Sequence, residues 1–489
     1  MKATAKFFLI GISLLFCRLL QAQPLELTIS PADRAYHLSR LWSEVKYNFV
    51  NLDQVKFDAD SLYRACLAEA IEAKSDYAYL RLLKRFMAAF NDGHTGFSTN
   101  GYESLKLGHS YVPMNIKYIN DGLYITSLIK VETITMDTSW LGAKILEIDG
   151  IPTEQYLTDS IFPYISASTL HYKQQRCHGL ITSNFKNRPL NISIKQRNGI
   201  IKHISIPRNM DIPRGTKSIG MLGNHRNVTN PVAFTMLSDS ISYLVIQTFA
   251  HQSISDRIYS CVHKINASKG VIIDLRFNGG GSTDVAFFLQ SLLTPMDSKY
   301  FMSYSSAVRV NDGVKKAWSN WKDDCKTYGT YTALRYEPSD TIMISDTLVR
   351  IKVPAVVLIG SSTYSAAEDF LISMQEAPKR PIFIGTETGG STGLPLVVRG
   401  FPHGGYAQIC THREYFPYSG KPFVSKGIAP DIVVEETIDD YLHLLGNPFA
   451  EWPDDWADID VLEKLSLERL PRDKVVQAAM GEIAKQTGS

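Results

Sequence analysis

Four aliphatic hydroxyls stand in IGSSTYSAAEDF, residues 359–370, directly after the apolar run VPAVVL. Ser365 opens a helix-forming stretch. Ser-Ala-Ala-Glu at 365–368 has capping-box spacing, in which the Ser hydroxyl and the Glu carboxylate satisfy free amides of the first turn. The same place suits a nucleophile. A serine at a helix start, just after a buried strand, stands at the edge of a sheet where unpaired N–H groups stabilise an anion. The Ala366 N–H is placed to be one oxyanion donor. Both readings are open from the residues alone. The stretch is not a G-x-S-x-G elbow, because Thr363 and Ala367 occupy the glycine positions.

VIIDLRFNGGGS, residues 271–282, has a strand running into Asn278 and three glycines ahead of a helix. Glycines let backbone N–H groups approach a ligand unobstructed. A phosphate loop is disfavoured, since no Lys follows and the G-x-x-x-x-G-K-[ST] spacing fails. The run reads either as a strand-to-helix turn or as the second half of an oxyanion hole, which needs backbone amides and no reactive side group. The third piece is His94 in NDGHTGFS, a Gly-flanked loop of the kind where functional residues concentrate. One of twelve histidines, it reads by itself as an ordinary loop residue. No HExxH occurs. His403, Cys410 and His412 lie close in sequence without a recognisable ligand set, so no metal and no cofactor is implied.

Helices and sheets must position these groups. Residues 31–108 read as an N-terminal helical domain: Leu38, Leu41, Trp42, Val45 and Phe49 fall at helical spacing, as do Tyr79, Leu82, Leu83, Phe86, Met87 and Phe90, with Ser75 as a cap. Residues 109–207 carry short β-rich runs separated by NDG, IDG and RNG turns, with a helical piece over 153–185. Residues 208–240, rich in Gly, Asn and Pro, read as a connecting segment. From 241 to 445, near-continuous apolar runs such as GVIIDLRF, PAVVLIG and PIFIGTE alternate with helical stretches such as TDVAFFLQSLL, implying an α/β domain with strands buried on both faces. Residues 446–489 read as a helical tail.

The first residues, MKATAKFFLIGISLLFCRLLQAQ, have the layout of a signal peptide over 1–22, which places the protein in a periplasm or outside the cell. Lipid attachment at Cys17 is disfavoured by Phe16 before it, and no later stretch is long enough for an integral membrane span. Loss of Lys2, Lys6 and Arg18 turns the formal charge of +2 into −1, which favours neither nucleic acid nor anionic membrane. The remaining cysteines, Cys66, Cys177, Cys261, Cys325 and Cys410, are scattered and form no CxxC, so neither a disulfide scaffold nor a zinc knuckle is indicated.

The ordered set DGHTGF, YLVIQTF, IIDLRFNGGG, TYSAAEDF, IGTETGG and GIAPDIVV over residues 91–435 resembles the C-terminal processing, or tail-specific, serine proteases. The branch with the tricorn protease core and the interphotoreceptor retinoid-binding protein repeats is the closer match. LGAKILEIDGIPTEQYL looks like a PDZ stretch. The resemblance implies a Clp/crotonase-like ββα spiral with the N-terminal helices and an inserted β-rich PDZ-like domain. It makes Ser365 the nucleophile, with Ala366 and, within the glycine run, Gly280 supplying the oxyanion hole. One group of the family carries a Lys base about 25 residues after the Ser in a GKG context; here the stretch is TGGSTG with Gly390 at that position. The other group uses a His that His94 matches, so an imidazole takes the Ser proton and returns it to the leaving amine.

Two departures stand out. The carboxylate that orients the imidazole falls near Val424, with no acid from 420 to 430, and Gly93 replaces a Ser before the His. Asp92, Glu387, Glu414 and Glu368 are the candidates for the orienting acid. The resemblance implies a secreted serine endopeptidase acting on proteins or peptides and recognising substrate C-termini by strand addition on the PDZ-like domain. Activity then falls on acidification near ~6.5, the ordinary imidazole value. The alternative is a non-catalytic binding protein with a hydrophobic ligand or peptide in a cleft lined by STGLPLVV. An acyl esterase or thioesterase using the same Ser and His is a third class. Oligomeric state is not legible.

Overall fold

The computed structural model describes residues 26–129, 136–208, 218–220, 231–237, 240–310, 333–445 and 470–488. The signal-peptide reading over 1–22, Cys325 and the tail residues 446–469 lie outside them.

Three α-helices lead the described residues. Helix α1 (Pro31–Asn48) starts on Ser30, whose hydroxyl accepts the Asp33 N–H, α2 (Ala59–Glu72) starts on Asp58, and α3 (Asp76–Ala88) starts on Ser75, whose hydroxyl accepts the Ala78 N–H. Leu38, Leu41 and Val45 of α1 and Tyr79, Leu82, Leu83, Phe86 and Met87 of α3 are buried together. Each large apolar side chain removed from water contributes about 1.5–3 kcal/mol. That core is closed by Val398, Ala407 and Ile409 from far down the sequence, so the helices are packed onto the C-terminal half. After α3 the backbone turns through Asn91 at positive φ, passes His94, and forms the strand Gly96–Ser98, antiparallel to Tyr406–Cys410.

A seven-stranded sheet follows. Its main path runs through Ser218–Gly220, Gly122–Ile129, Lys144–Ile148, Leu190–Lys195 and Ile201–Ile206, with Met114–Ile119 and Ile151–Pro152 paired to its side. Leu123, Ile125, Ile145, Ile148, Ile192 and Ile194 bury one face. Residues 153–182 hold a series of short helices, among them Leu170–Arg176, rather than one, and the segment ends in the strand Ser183–Phe185, antiparallel to His109–Tyr111.

The second main sheet has six strands in sequence order: β1 (Val232–Met236), β2 (Ile241–Ile246), β3 (Gly270–Asp274), β4 (Ala355–Ile359), β5 (Ile382–Gly385) and β6 (Ile432–Val433). All pairs are parallel except β1 with β2. Helices α4 (Ser253–Asn266), α5 (Thr283–Leu293) and α6 (Ala366–Gln375) connect successive strands and cover one face through Leu244, Val271, Ile273, Val357, Ile359 and Phe383. The alternate residues Tyr243, Ile272, Val356, Leu358 and Ile384 face α7 (Lys474–Thr487) through its Val475, Val476, Ala479 and Ile483. The two-residue period explains why these strands read as unbroken apolar runs: both faces are covered. The architecture is mixed α/β. One correction concerns the stretch read as connecting, since Val232–Met236 within it is the edge strand of the sheet. Five residues after Pro231 among Asn and Gly give too short a pattern to register.

Candidate functional site

Ser365 sits where β4 feeds α6. Its backbone has φ 57° and ψ −129°, a conformation that costs a non-Gly residue about 1–3 kcal/mol. The preceding loop holds it there. Thr363 Oγ1 donates to the Leu275 carbonyl at 2.8 Å and accepts the Gly360 N–H at 3.0 Å, and the Tyr364 N–H donates to the Asn278 carbonyl at 2.9 Å. The sharp strand–turn–helix geometry of a nucleophile elbow is thus reached without its flanking glycines. Ser365 and Glu368 form the capping box. The box does not isolate the hydroxyl, because Ser365 Oγ lies 3.0 Å from His94 Nε2, across 271 positions of sequence.

His94 is fixed from its own loop. Its N–H donates to Asp92 Oδ1 at 2.9 Å, and Thr95 Oγ1 accepts the Cys410 N–H at 3.0 Å. Burial pulls the imidazole down from its ordinary value to about 4, so the ring is neutral at physiological pH and Nε2 can accept a proton. On that value the acid limb expected near 6.5 lies lower, for a ring that is half-buried. Its other nitrogen, Nδ1, is 2.9 Å from Ser391 Oγ and 3.4 Å from the Tyr364 phenol oxygen. The rings of His94, Tyr364 and Tyr172 stack in parallel, with centroid separations of 5.0 and 4.6 Å and interplanar angles of 3° and 4°.

None of the four acids considered for orienting the ring meets Nδ1. Asp92 is buried below the loop, where it accepts from the His94 backbone and from Asn51; burial raises its carboxyl to about 6. Glu368 binds backbone instead. Its oxygens accept the N–H groups of Ser365 (3.3 Å), Gly390 (2.8 Å) and Ser391 (3.1 Å) and the Thr388 hydroxyl. Glu387 is exposed, 3.9 Å from His171 Nδ1. Glu414 is buried away from the ring, with Oε2 lacking a partner among the described residues. Val424 packs against the core of the six-stranded sheet.

The oxyanion assignment needs one correction. The Gly280 N–H donates to Asn278 Oδ1 at 2.9 Å and is not free for a ligand. Gly280 serves instead as a spacer: at φ +88°, a Cβ there would lie 2.6 Å from Ser365 Cβ and from the Tyr364 carbonyl. Among the described residues, neither the Ala366 N–H, at the start of α6, nor the Gly279 N–H has an internal acceptor.

Two cavities flank this constellation. One of about 400 Å³ is lined by Gly93, Phe97, Tyr164, Tyr172 and Arg176. The other, of about 560 Å³, lies between Lys117 and Tyr118 of the seven-stranded sheet and Phe277, Ser361, Ser362 and Glu387 at the carboxyl ends of the core strands. Within STGLPLVV, Leu396 and Val398 pack into the core of the N-terminal helices, while Val397 is exposed. Sequence reasoning passed over Ser391, Tyr364 and Tyr172. A signal for Ser391 was present, a hydroxyl one residue after the place where the Ser/Lys group carries its base.

Residues 240–434 match Peptidase family S41, a span that holds Ser365, Glu368 and Ser391 but not His94. No curated protein matches this one. Among solved structures, mature CPAF aligns with a TM-score of 0.64 at 14% identity over 91% of this chain and 99% of its own. Mature CPAF complexed with lactacystin aligns at 0.63 and 14% over 90% and 98%. These likenesses establish a shared fold across nearly the whole length. Through residues 240–434, which form a Peptidase family S41 domain, this protein is a serine peptidase.

Proposed function

We propose that the protein is an endopeptidase in which Ser365 and His94 cleave peptide bonds through an acyl-enzyme. The observation that carries this reading is the 3.0 Å separation of His94 Nε2 and Ser365 Oγ. With a peptide carbonyl over the hydroxyl, Oγ attacks carbon as Nε2 takes the hydroxyl proton. Negative charge moves to the carbonyl oxygen, which the Ala366 N–H and an N–H of the Gly279–Gly281 run stabilise; each such donor is worth about 3–4 kcal/mol in the transition state. Collapse breaks the C–N bond, and the imidazolium gives its proton to the departing amine. Water, deprotonated by the same Nε2, then releases the acid product and regenerates the hydroxyl.

An extended polypeptide suits the site, because the two cavities supply room for side groups next to the His94 loop and next to the loop before Ser365. The seven-stranded sheet is the candidate PDZ-like module, and its strand Met114–Ile119 borders the larger cavity. Recognition of a substrate C-terminus there, and export to a periplasm or the exterior, belong to this same reading. Its test is labelling by a fluorophosphonate, expected for the wild type and lost in Ser365→Ala and His94→Ala. Wild-type protein that stays unlabelled overturns the mechanism. For the C-terminal preference, paired peptides with free and amidated C-termini are compared; equal cleavage rates remove that part alone.

A further inference from the structure

We infer that the Ser391 hydroxyl, backed by the Tyr364 phenol, is the group that orients His94, occupying with neutral oxygens the place a carboxylate would take. The inference rests on the Ser365–His94 reading above and adds a positioning residue to it.

A histidine that accepts a proton at Nε2 must carry its own proton on Nδ1, and the partner of Nδ1 decides that tautomer. Here the partner is Ser391 Oγ at 2.9 Å. Ser391 is fully buried, and both ends of its peptide unit are tied to the nucleophile's turn. Its N–H donates to Glu368 Oε2 at 3.1 Å, and its carbonyl accepts the Ser365 N–H at 3.3 Å. These bonds fix the Ser391 backbone against the residue that the ring serves. Tyr364 also hydrogen-bonds Ser391, and its oxygen lies 3.4 Å from Nδ1. The donors then run in one direction. Nδ1–H donates to Ser391 Oγ, and the Ser391 hydroxyl hydrogen goes to the Tyr364 oxygen.

The surrounding glycines make room for this device. A Cβ at Gly93 would lie 1.8 Å from the Tyr364 phenol oxygen, and one at Gly389 would lie 2.5 Å from Tyr364 Cδ2. Tyr364 therefore occupies the space on both sides, stacked between His94 and Tyr172. This accounts for both departures of the sequence from the His-using pattern. Position 93 is Gly because the phenol fills the space a side group would need, and Val424 is tolerated because Nδ1 already has an oxygen.

The test combines labelling with a tautomer measurement. Wild type, Ser365→Ala, Ser391→Ala and Tyr364→Phe are compared for their rate of fluorophosphonate labelling, and the first and third for the His94 tautomer by ¹⁵N-histidine NMR, assigned with His94→Ala. The expected result is a labelling rate at least tenfold lower in Ser391→Ala and several-fold lower in Tyr364→Phe. His94 carries its proton on Nδ1 in the wild type and shifts toward Nε2 in Ser391→Ala. Loss of a buried hydroxyl for purely structural reasons would not move the tautomer. Ser391→Ala that labels within twofold of wild type, with Nδ1 still protonated, overturns the inference while leaving the Ser365 mechanism intact. Absence of labelling in the wild type overturns that mechanism, and the tautomer still decides the role of Ser391. If Ser391→Ala does not fold, Tyr364→Phe decides, since it keeps the stacked ring and removes only the oxygen; an unchanged labelling rate in that variant overturns the inference.

Discussion

The Tyr364 phenol stands in the volume that any side group on residue 93 would need, 1.8 Å from the position of its Cβ. The contact joins the loop carrying His94 to the turn carrying Ser365, so the spacing of the two functional loops is set by an aromatic ring packed against a glycine. Gly93→Ala must push them apart. Overpacking of this kind costs about 1–3 kcal/mol. The expected outcome is a lower thermal midpoint together with slower fluorophosphonate labelling. Adding Tyr364→Phe removes the 1.8 Å contact and leaves neighbours at 3.0 and 3.2 Å, so the double variant recovers part of the lost stability. A Gly93→Ala protein with the wild-type midpoint would show that the loops are not held by this contact.

The pH dependence of activity follows from burial of the imidazole. The base works while neutral, and with its proton affinity lowered to about 4 the active form persists well below the usual range. Asp92, raised to about 6, changes charge in the same interval but faces the His94 backbone rather than the ring. The labelling rate is expected to stay within a factor of about two from pH 7 down to about pH 5 and to fall as pH approaches 4. A half-maximum at ~6.5 would mean that the ring is hydrated and ordinary. In stability the sign is the same. The unfolded protein takes up a proton on this histidine below its ordinary value while the folded one does not, so stability is lost as pH falls from about 6.5 toward 4.

Much of the scaffold was legible in the sequence because the signals are local. TDVAFFLQSLL reads as a helix and is one, Thr283–Leu293, and the apolar runs around Ile272 and Val357 read as strands buried on both faces. The site was legible only in part. Ser365 carried a capping-box spacing that hides a nucleophile as readily as it marks a helix start, and His94 alone was an ordinary loop histidine. Family pattern, rather than residue chemistry, linked them. What escaped had two causes. The bond from the Gly280 amide to Asn278 Oδ1 is a local turn that an Asn ahead of glycines can signal, whereas the reach of Ser391 to Nδ1 across 297 positions is set by long-range geometry.

Glu368 is the structural tie between the turns. Burial pushes its carboxyl up to about 8, against the pull of its hydrogen bonds. Three backbone N–H groups and the Thr388 hydroxyl converge on its two oxygens, a cage fitted to the carboxylate. In Glu368→Gln, one oxygen becomes an NH₂ that faces donors. The expected loss is about 1–3 kcal/mol, read by urea denaturation. Labelling should slow in parallel, because both Ser365 and Ser391 lose an anchor. Stability and labelling equal to wild type would mean that the protonated acid is the resting form, with one oxygen already acting as a donor.

Glu414 supplies a separate pH signature. It is fully buried, its Oε2 has no partner among the described residues, and burial followed by the nearby Asp369 charge holds its carboxyl well above the ordinary range. Asp369, whose oxygens accept from the Thr283 and Thr392 hydroxyls, is itself raised to about 6. A carboxyl with a raised folded value binds its proton more tightly in the folded state. Its contribution is complete below the unfolded value of about 4.3 and is lost as pH rises toward and through the folded one. Gln at 414 keeps the shape and cannot ionise, so it removes that loss. Glu414→Gln should therefore match the wild type near pH 4 and exceed it in stability at pH 8. Glu368 is present in both proteins, so whatever its titration contributes is common to both curves and drops out of the comparison. Thermal denaturation across that range checks the point; parallel curves for the two proteins would place the Glu414 carboxyl in an ordinary, ionised state.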